Sequence, residues 1–435
     1  MHQRRLLAFI LFVTVASLAP AQEIPQAFRG ATIYPIDGEP IEDGTLVVQG
    51  GKVVALGRTG SVSLPTNAVI HDIQGKVLMP GLVDTHSHIG DGSGGDRSNA
   101  LHPEVRIIDA IDVRSKGFRK ALAGGITTVN VMPGSGHLMS GQTAYLKIRP
   151  ANTIYDMLFC PDPVNGICGG MKMANGTNSI GEKPFPGTRA KSAALVRQLF
   201  LKAQDYQAKV KAAAGNPDKM PKRELEMEAL VQVLEGKRVV HHHTHRHDDI
   251  MTVLRLAKEF GFRVVLQHVS EAWKVAKEIA ESGVPSSIIL IDSPGGKLET
   301  TDIRNENGVE LEKAGALVGF HTDDGITDSR LFLRMAALAV RAGMSRGKAL
   351  EGLTIAGAKM LELDDRVGSL KPGKDADFIV LSGDPFSVYT HVEQTWVEGT
   401  RMFDRSDPED HKMAVGGYEV FRRSLYMDAC EGGVE

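Results

Sequence analysis

From residue 78 to residue 358 one arrangement recurs: a short run rich in Val, Ile and Thr, a loop marked by Gly, and a stretch with helical periodicity. Strands are predicted at 126–131, 144–148, 237–243, 263–268, 284–291 and 316–323. Helices are predicted at 106–123, 190–213, 222–234, 250–260, 329–342 and 346–358. Two parallel strands need a crossover of a dozen or more residues between them, and a helix usually supplies it. The chain is therefore expected to build a parallel α/β sheet, and eight such units would close into a (β/α)8 TIM-type barrel. Its 435 residues suffice for that barrel and one accessory module.

The flanks read differently. Short β-rich runs at 31–35, 44–49, 52–56 and 68–70 are punctuated by Asp37-Gly38 and Gly50-Gly51, the second pair closing a tight hairpin. After the last predicted helix, 367–381 is a turn-rich segment feeding an apolar strand, and 392–397 with 400–403 forms a hairpin around Glu398-Gly399. Neither set is long enough to bury a core alone. The two are expected to complete one another as a small composite β-sandwich, 22–78 with 363–405, beside a barrel at 79–362. A polar tail at 406–435 carries no readable element.

Arg4 and Arg5, the apolar run 6–18 and Ala19-Pro20-Ala21 have the layout of a cleaved export signal at 1–21, which predicts a periplasmic protein. The run is shorter than the ~20 residues that span a bilayer, so no membrane span is expected after cleavage. The net charge of -3 gives no reason to expect nucleic acid or an anionic membrane as partner. Three cysteines are too few for a disulfide framework. Cys160 and Cys168 either pair within their loop or stay as buried thiols.

The chemistry lies at the strand ends. Residues 78–92 form an apolar run that closes on His86 and His88, and alternate side chains on a strand share a face. Two neutral imidazoles held side by side make half of a divalent-metal site. Later strands end in His243, His268 and Asp323. The run His241, His242, His243, His245, His247 cannot supply five ligands. On an extended strand His241, His243 and His245 share one face and His242 takes the other; His241, His242 and His247 are read as packed or exposed histidines.

Pro80-Gly81-Leu82-Val83-Asp84-Thr85-His86-Ser87-His88, the strand-end histidines, Asp323 and the segment Lys371-Pro372-Gly373-Lys374-Asp375-Ala376-Asp377-Phe378 together resemble the metal-dependent amidohydrolase superfamily, in its imidazolonepropionase and prolidase-like branch. The resemblance spans about residues 25–403. It implies one or two divalent ions, zinc-like, at the C-terminal face of the barrel. It matches His86 and His88 to the first-strand ligands, His243 to the fifth with His245 as its competitor, His268 to the sixth and Asp323 to the eighth. A bridging residue after the fourth strand would be Lys172, with Glu182 as the alternative.

The implied activity is cleavage of an amide, peptide or cyclic amide C–N bond in a small-molecule or peptide-like substrate, by a water whose pKa the ion lowers. Asp323 would move the proton, and His268 would steady the oxyanion if it is not a ligand. Arg246 is a candidate clamp for a substrate carboxylate, though Asp248 or Asp249 could equally hold it. His245 and His137 are further candidates for substrate contact, and Asp324 and Asp328 for orienting ligands. Arg246 occupies the place where deaminases of the superfamily carry an acid, which argues against a deaminase. A barrel that binds without catalysis is the reading from another class. A homo-oligomer is compatible with all of these.

Overall fold

The computed structural model describes residues 24–92, 95–290 and 297–421. The expected export signal, Cys430 and residues 422–435 lie outside them. The chain opens with β1 (Gln26–Ile33), β2 (Ile41–Gln49), β3 (Lys52–Arg58), β4 (Val69–Asp72) and β5 (Val77–Pro80). The β2–β3 hairpin turns on Gly50 and Gly51, both at positive φ, where a side chain would be strained. β1 and β2, and β2 and β3, pair antiparallel as expected, whereas β4 and β5 run parallel to β1.

The alternating region follows: β6 (Leu82–Ser87), α1 (Lys116–Ala123), β7 (Ile126–Val131), β8 (Met139–Gln142), β9 (Ala144–Lys147) and β10 (Met171–Ala174). Then come α2 (Arg189–Ala213), α3 (Leu225–Leu234), β11 (Val240–Thr244), α4 (His247–Phe260), β12 (Val264–His268) and α5 (Ala276–Ser282). β13 (Ser286–Ile288), α6 (Asn307–Ala314), β14 (Val318–Phe320), α7 (Phe332–Ala342), α8 (Arg346–Leu353) and α9 (Ile355–Met360) complete it. α1 is shorter than the predicted 106–123 helix. Asp112 holds a turn by accepting from Arg114 N, and Ser115 then caps the helix by accepting from Gly117 N.

β10 through β14 are parallel neighbours, as are β6 and β7. The exception is β8 with β9, which run antiparallel to β10 and β7 respectively. Only residues 132–138 separate β7 from β8, too short a stretch for a crossover, so the chain doubles back. The sheets β6-β7-β9 and β14-β13-β12-β11-β10-β8 approach one another at both margins. Asp323 N donates to His86 O and His88 N to Asp324 O, both at 2.9 Å, and Thr143 N donates to Gly170 O at 3.0 Å. Every residue of β6, β7, β11 and β12 is buried, as expected of strands covered on both faces.

β15 (Phe378–Leu381), β16 (Val392–Val397) and β17 (Thr400–Asp404) return to the first sheet, whose order is β17-β16-β15-β5-β1-β2-β3 with β4 beside β1. Strands from the two ends of the chain meet where β15 pairs with β5. Phe28, Phe378 and Trp396 stack and abut edge-on in a separate small core there. The segment that carried no readable element forms α10 (Pro408–Val415) and α11 (Tyr418–Phe421). Asp407 caps α10, and Arg119 of α1 pairs with Asp410 at 3.2 Å. Cys160 and Cys168 form a disulfide. Among the described residues no helix is long and apolar enough to cross a membrane.

Candidate metal centre

Strand alternation delivers His86 and His88 to one side of the end of β6, their Nε2 atoms 3.3 Å apart. Asp323, just beyond β14, sets Oδ1 3.3 Å from His86 Nε2 and 3.0 Å from His88 Nε2. Ligand atoms placed tetrahedrally ~2.0–2.1 Å from one ion lie ~3.3 Å from each other. The triangle has the edges of such a face.

Its supports are in place. His88 Nδ1 lies 2.8 Å from Met132 O, which fixes the ring and directs Nε2 inward. The Asp84 carboxylate accepts from His86 N, Thr322 N and Thr322 Oγ1, joining the end of β6 to that of β14. Burial pushes Asp84 up to about 7, against the opposing pull of the Thr322 hydrogen bonds. Asp324 is wholly buried and takes Lys120 Nζ at 2.8 Å and Ser329 N at 2.8 Å, while its carbonyl receives His88 N. Asp328 is spent elsewhere, capping the turn at Ser329–Leu331 and pairing with Arg330. Asp323 and His268 have φ of 51° and 69°, a region non-glycine residues rarely occupy and one that clusters at functional sites.

His268 lies on the far side of Asp323, its Nδ1 3.8 Å from Oδ2 and 2.9 Å from His321 Nε2. His321 Nδ1 in turn meets Ser287 Oγ at 2.8 Å. Lys172 is wholly buried, with Nζ 3.0 Å from His86 Nε2 and 3.2 Å from Met132 Sδ. Glu182 is exposed in its loop, so of the two bridging candidates Lys172 is the one brought to the histidines. His243 and His245 converge with Glu299, a residue sequence reasoning missed; their ligand atoms lie within 4.8 Å of one another. Glu299 follows no strand pattern, and only its burial marks it out.

The remaining candidates sit apart. His241 contacts Tyr145 Oη at 2.8 Å and Gln267 Nε2 at 3.2 Å. His242 points to the opposite face of β11, bonds the His243 carbonyl and lines a cavity of about 630 Å³ beside α2 and α4. His247 pairs with Glu271 at 2.6 Å. Arg246 is held by Asp248 through two bonds of 3.0 Å, which is the pairing alternative rather than an open clamp. His137 is buried against Phe185 with His102 beside it, and neither of its ring nitrogens has a hydrogen-bond partner.

Burial, then the Lys172 charge, hold His86 well below the usual histidine range; burial and neighbouring imidazoles do the same for His243 and His268. His245 and His321 fall to about 3, chiefly by burial. All are neutral near pH 7, the form that binds metal. Burial alone would raise Asp323. The His88 hydrogen bond, the Lys172 charge and, in the acid range where the carboxyl titrates, the protonated His88 and His321 outweigh it, and the carboxyl stays well below its usual range. His86 Nδ1, His268 Nε2, both nitrogens of His243 and Glu299 Oε1 are buried without a hydrogen-bond partner. Orphaned polar atoms at such density are rare in a finished core, and a divalent ion with nitrogen and oxygen ligands suits this donor set.

Comparison with known proteins agrees with that chemistry. Residues 185–403 match the amidohydrolase family. A crystal structure of an amidohydrolase from Thermotoga maritima is 35% identical, superimposes with a TM-score of 0.81, and shares 87% of this chain and 100% of its own. An imidazolonepropionase of Deinococcus radiodurans is 26% identical over 86% of this chain and 93% of its own length. An amidohydrolase of Hapsidospora irregularis is 26% identical over 87% of this chain, which spans only 43% of that longer protein. The fold and site thus define a hydrolase acting on carbon–nitrogen bonds, with a TIM-barrel-type α/β fold. The chain belongs to the amidohydrolase family, on its imidazolonepropionase-like side.

Proposed function

We propose that this is an exported hydrolase that cleaves an amide, peptide or cyclic amide bond with a zinc-like ion held by His86, His88 and Asp323. The observation that carries the reading is their triangle of ligand atoms, with edges of 3.0 to 3.3 Å. The reading includes closure of the two sheets into a (β/α)8 barrel, supported by the backbone bonds between the ends of β6 and β14. It also includes folding of the mixed sheet into a β-sandwich made from both chain ends. The Cys160–Cys168 disulfide supports an oxidising compartment.

When bound, the ion supplies a lowered water pKa and polarises the scissile carbonyl. The protein does the rest. Asp323 is ionised and takes the proton of the attacking water, then returns it to the leaving nitrogen. The reading takes Ser287 as the donor to His321 Nδ1, 2.8 Å away, and His321 Nε2 as the donor to His268 Nδ1, 2.9 Å away. That order leaves the His268 proton on Nε2, the atom without a partner, where it donates to the developing oxyanion. His268 thus serves here as donor rather than ligand. Lys172 borders the same ion position from the His86 side. His245, beside His243 and Glu299, is the nearer candidate for substrate contact, and Arg246 reaches a substrate carboxylate only by leaving Asp248.

The test is a product screen with dipeptides, N-acyl amino acids, lactams and amino-heterocycles, run with Zn²⁺ and Mn²⁺, on wild type and Asp323→Asn. A new amine and carboxylate are expected, with turnover falling ~10²–10⁴-fold in the folded variant. Ammonia released from a heterocycle would make it a deaminase. Undiminished turnover by Asp323→Asn would sink the assignment of the base.

A further inference from the structure

We infer that the C-terminal helices α10 and α11 form a clasp on the metal centre and act on it through Lys120 of α1, which is thereby a positioning residue for His86, His88 and Asp323. The inference rests on the metal reading above and adds to it a remote element that sets where the ligands stand. Lys116, Arg119 and Lys120 occupy positions i, i+3 and i+4 of α1, so they share one helix face. Lys116 Nζ donates to Val420 O at 2.5 Å, and Arg119 pairs with Asp410 at 3.2 Å. Lys120 alone of the three is buried, and it turns inward to Asp324 Oδ1 at 2.8 Å.

Asp324 is where that helix face reaches the site. Its Oδ1 takes Lys120, and its Oδ2 takes Ser329 N at 2.8 Å and Ser329 Oγ. Its carbonyl receives His88 N at 2.9 Å, and its N–H donates to Thr322 Oγ1 at 3.1 Å. Thr322 in turn donates to the Asp84 carboxylate, which also accepts from His86 N. Asp323 is the chain neighbour, held at a φ of 51° with its N–H on His86 O at 2.9 Å. One wholly buried carboxylate is thus tied to the backbone of all three residues of the triangle. An ion pair this deep returns little net stability, because desolvation of both charges offsets their attraction. Its place says more than its energy: it joins α1 to the residue beside Asp323, and groups that hold ligands in position govern metal affinity.

A second hold on α10 and α11 comes from the segment after Asp324. Arg330 follows Ser329, and its Nη1 donates to Gly416 O at 2.7 Å and to Met413 O at 3.3 Å, while Asp328 accepts from its Nε and Nη2. The Phe421 ring lies 5.7 Å from Lys120 Nζ and 5.2 Å from the Arg330 guanidinium. The two helices therefore grip Asp324 from both sides, through the lysine of α1 and through the residue that follows Ser329. Loosening them frees Lys120 and Ser329 to move, and Asp324 with them.

The experiment is Co²⁺ titration of the metal-stripped full chain, followed by visible absorption, with circular dichroism as the folding control and the melting temperature recorded separately. His88→Gln marks the part of the titration that belongs to the ion at the triangle. Lys120→Met should bind that ion roughly 10–100-fold more weakly, the usual cost of losing a group that holds a ligand in place. Lys120→Arg, which keeps the charge, should recover part of the loss. Lys120→Met/Asp324→Asn leaves neither charge of the pair and should still bind weakly, so the test stands even if Lys120→Met folds poorly. Lys116→Met/Arg330→Met loosens α10 and α11 with Lys120 and Asp324 both kept, and should shift affinity the same way by less. Wild-type affinity in folded Lys120→Met/Asp324→Asn or in folded Lys116→Met/Arg330→Met would overturn the clasp, as would a loss confined to the melting temperature. No Co²⁺ bound by wild type would defeat the metal reading and this inference with it.

Discussion

Two lysines of this protein, Lys147 and Lys172, are wholly buried, and their surroundings differ in kind. Lys147, at the end of β9, contacts Asp375 and lies 3.2 Å from both Asp377 and Glu398. Arg366 and Lys52 close on Asp375 from outside, and the Phe159 ring lies 4.3 Å from the ammonium. Burial alone would lower the Lys147 pKa, but the three carboxylates outweigh it and raise it. That cluster answers its own charges. Lys172, within β10, lies instead against His86 Nε2 in a group rich in orphaned ring nitrogens. A buried charge cluster that is self-satisfied is structural; a buried group whose ring nitrogens lack hydrogen-bond partners is a candidate for binding.

The largest effect on stability should come from breaking the first cluster. Lys147→Ala leaves Asp377 buried without its lysine, while Asp375 keeps Arg366 and Lys52; losing the partner of a buried charge is a class of change that costs about 3–5 kcal/mol. Thermal denaturation should show the loss, with turnover per folded molecule unchanged. Next is the disulfide, which closes the loop after Phe159. By the chain-entropy account its short loop contributes roughly 2–3 kcal/mol, so Cys160→Ser should lower the melting temperature and loosen the cover over Lys147.

Acid tests the same cluster. Burial raises the Asp375 pKa, but Arg366 and Lys147 outweigh it and bring it to about 2 from an ordinary 3.8. A carboxyl with a depressed folded-state pKa stabilises fully above its unfolded value and loses that contribution as pH falls through the folded one. About 2 kcal/mol should therefore vanish between about pH 4 and 2. Denaturant titrations across that range should show a flatter slope in Asp375→Asn. The smallest stability effect is expected from Lys172→Met, below about 1 kcal/mol in the metal-free protein and of either sign, because burying an ammonium offsets much of what its contacts return. Its turnover should nevertheless fall. A large destabilisation by Lys172→Met, with activity intact, would erase the contrast between the two lysines.

The same contrast explains what was legible in the sequence. His86, His88, His268 and Asp323 could be read because strand alternation and strand ends fix where side chains go before tertiary structure is known. The approach of Glu299 to His243 and His245 could not, since Glu299 comes from a segment without periodicity. Lys147 was invisible for a related reason: a lysine in a short strand reads as an exposed face. The segment Lys374-Asp375-Ala376-Asp377 marked the family, but its aspartates turn out to serve Lys147 and not the chemistry. The β8–β9 reversal was missed because strand propensity carries no direction, and only the short connection after β7 reveals it.

The most direct measurement is anomalous diffraction at the zinc edge, on crystals of the full chain grown with Zn²⁺. The account predicts a peak bounded by His86 Nε2, His88 Nε2 and Asp323 Oδ1, with the Lys147 cluster free of any. A map with no peak at that triangle, at full occupancy of zinc elsewhere in the crystal, would contradict it.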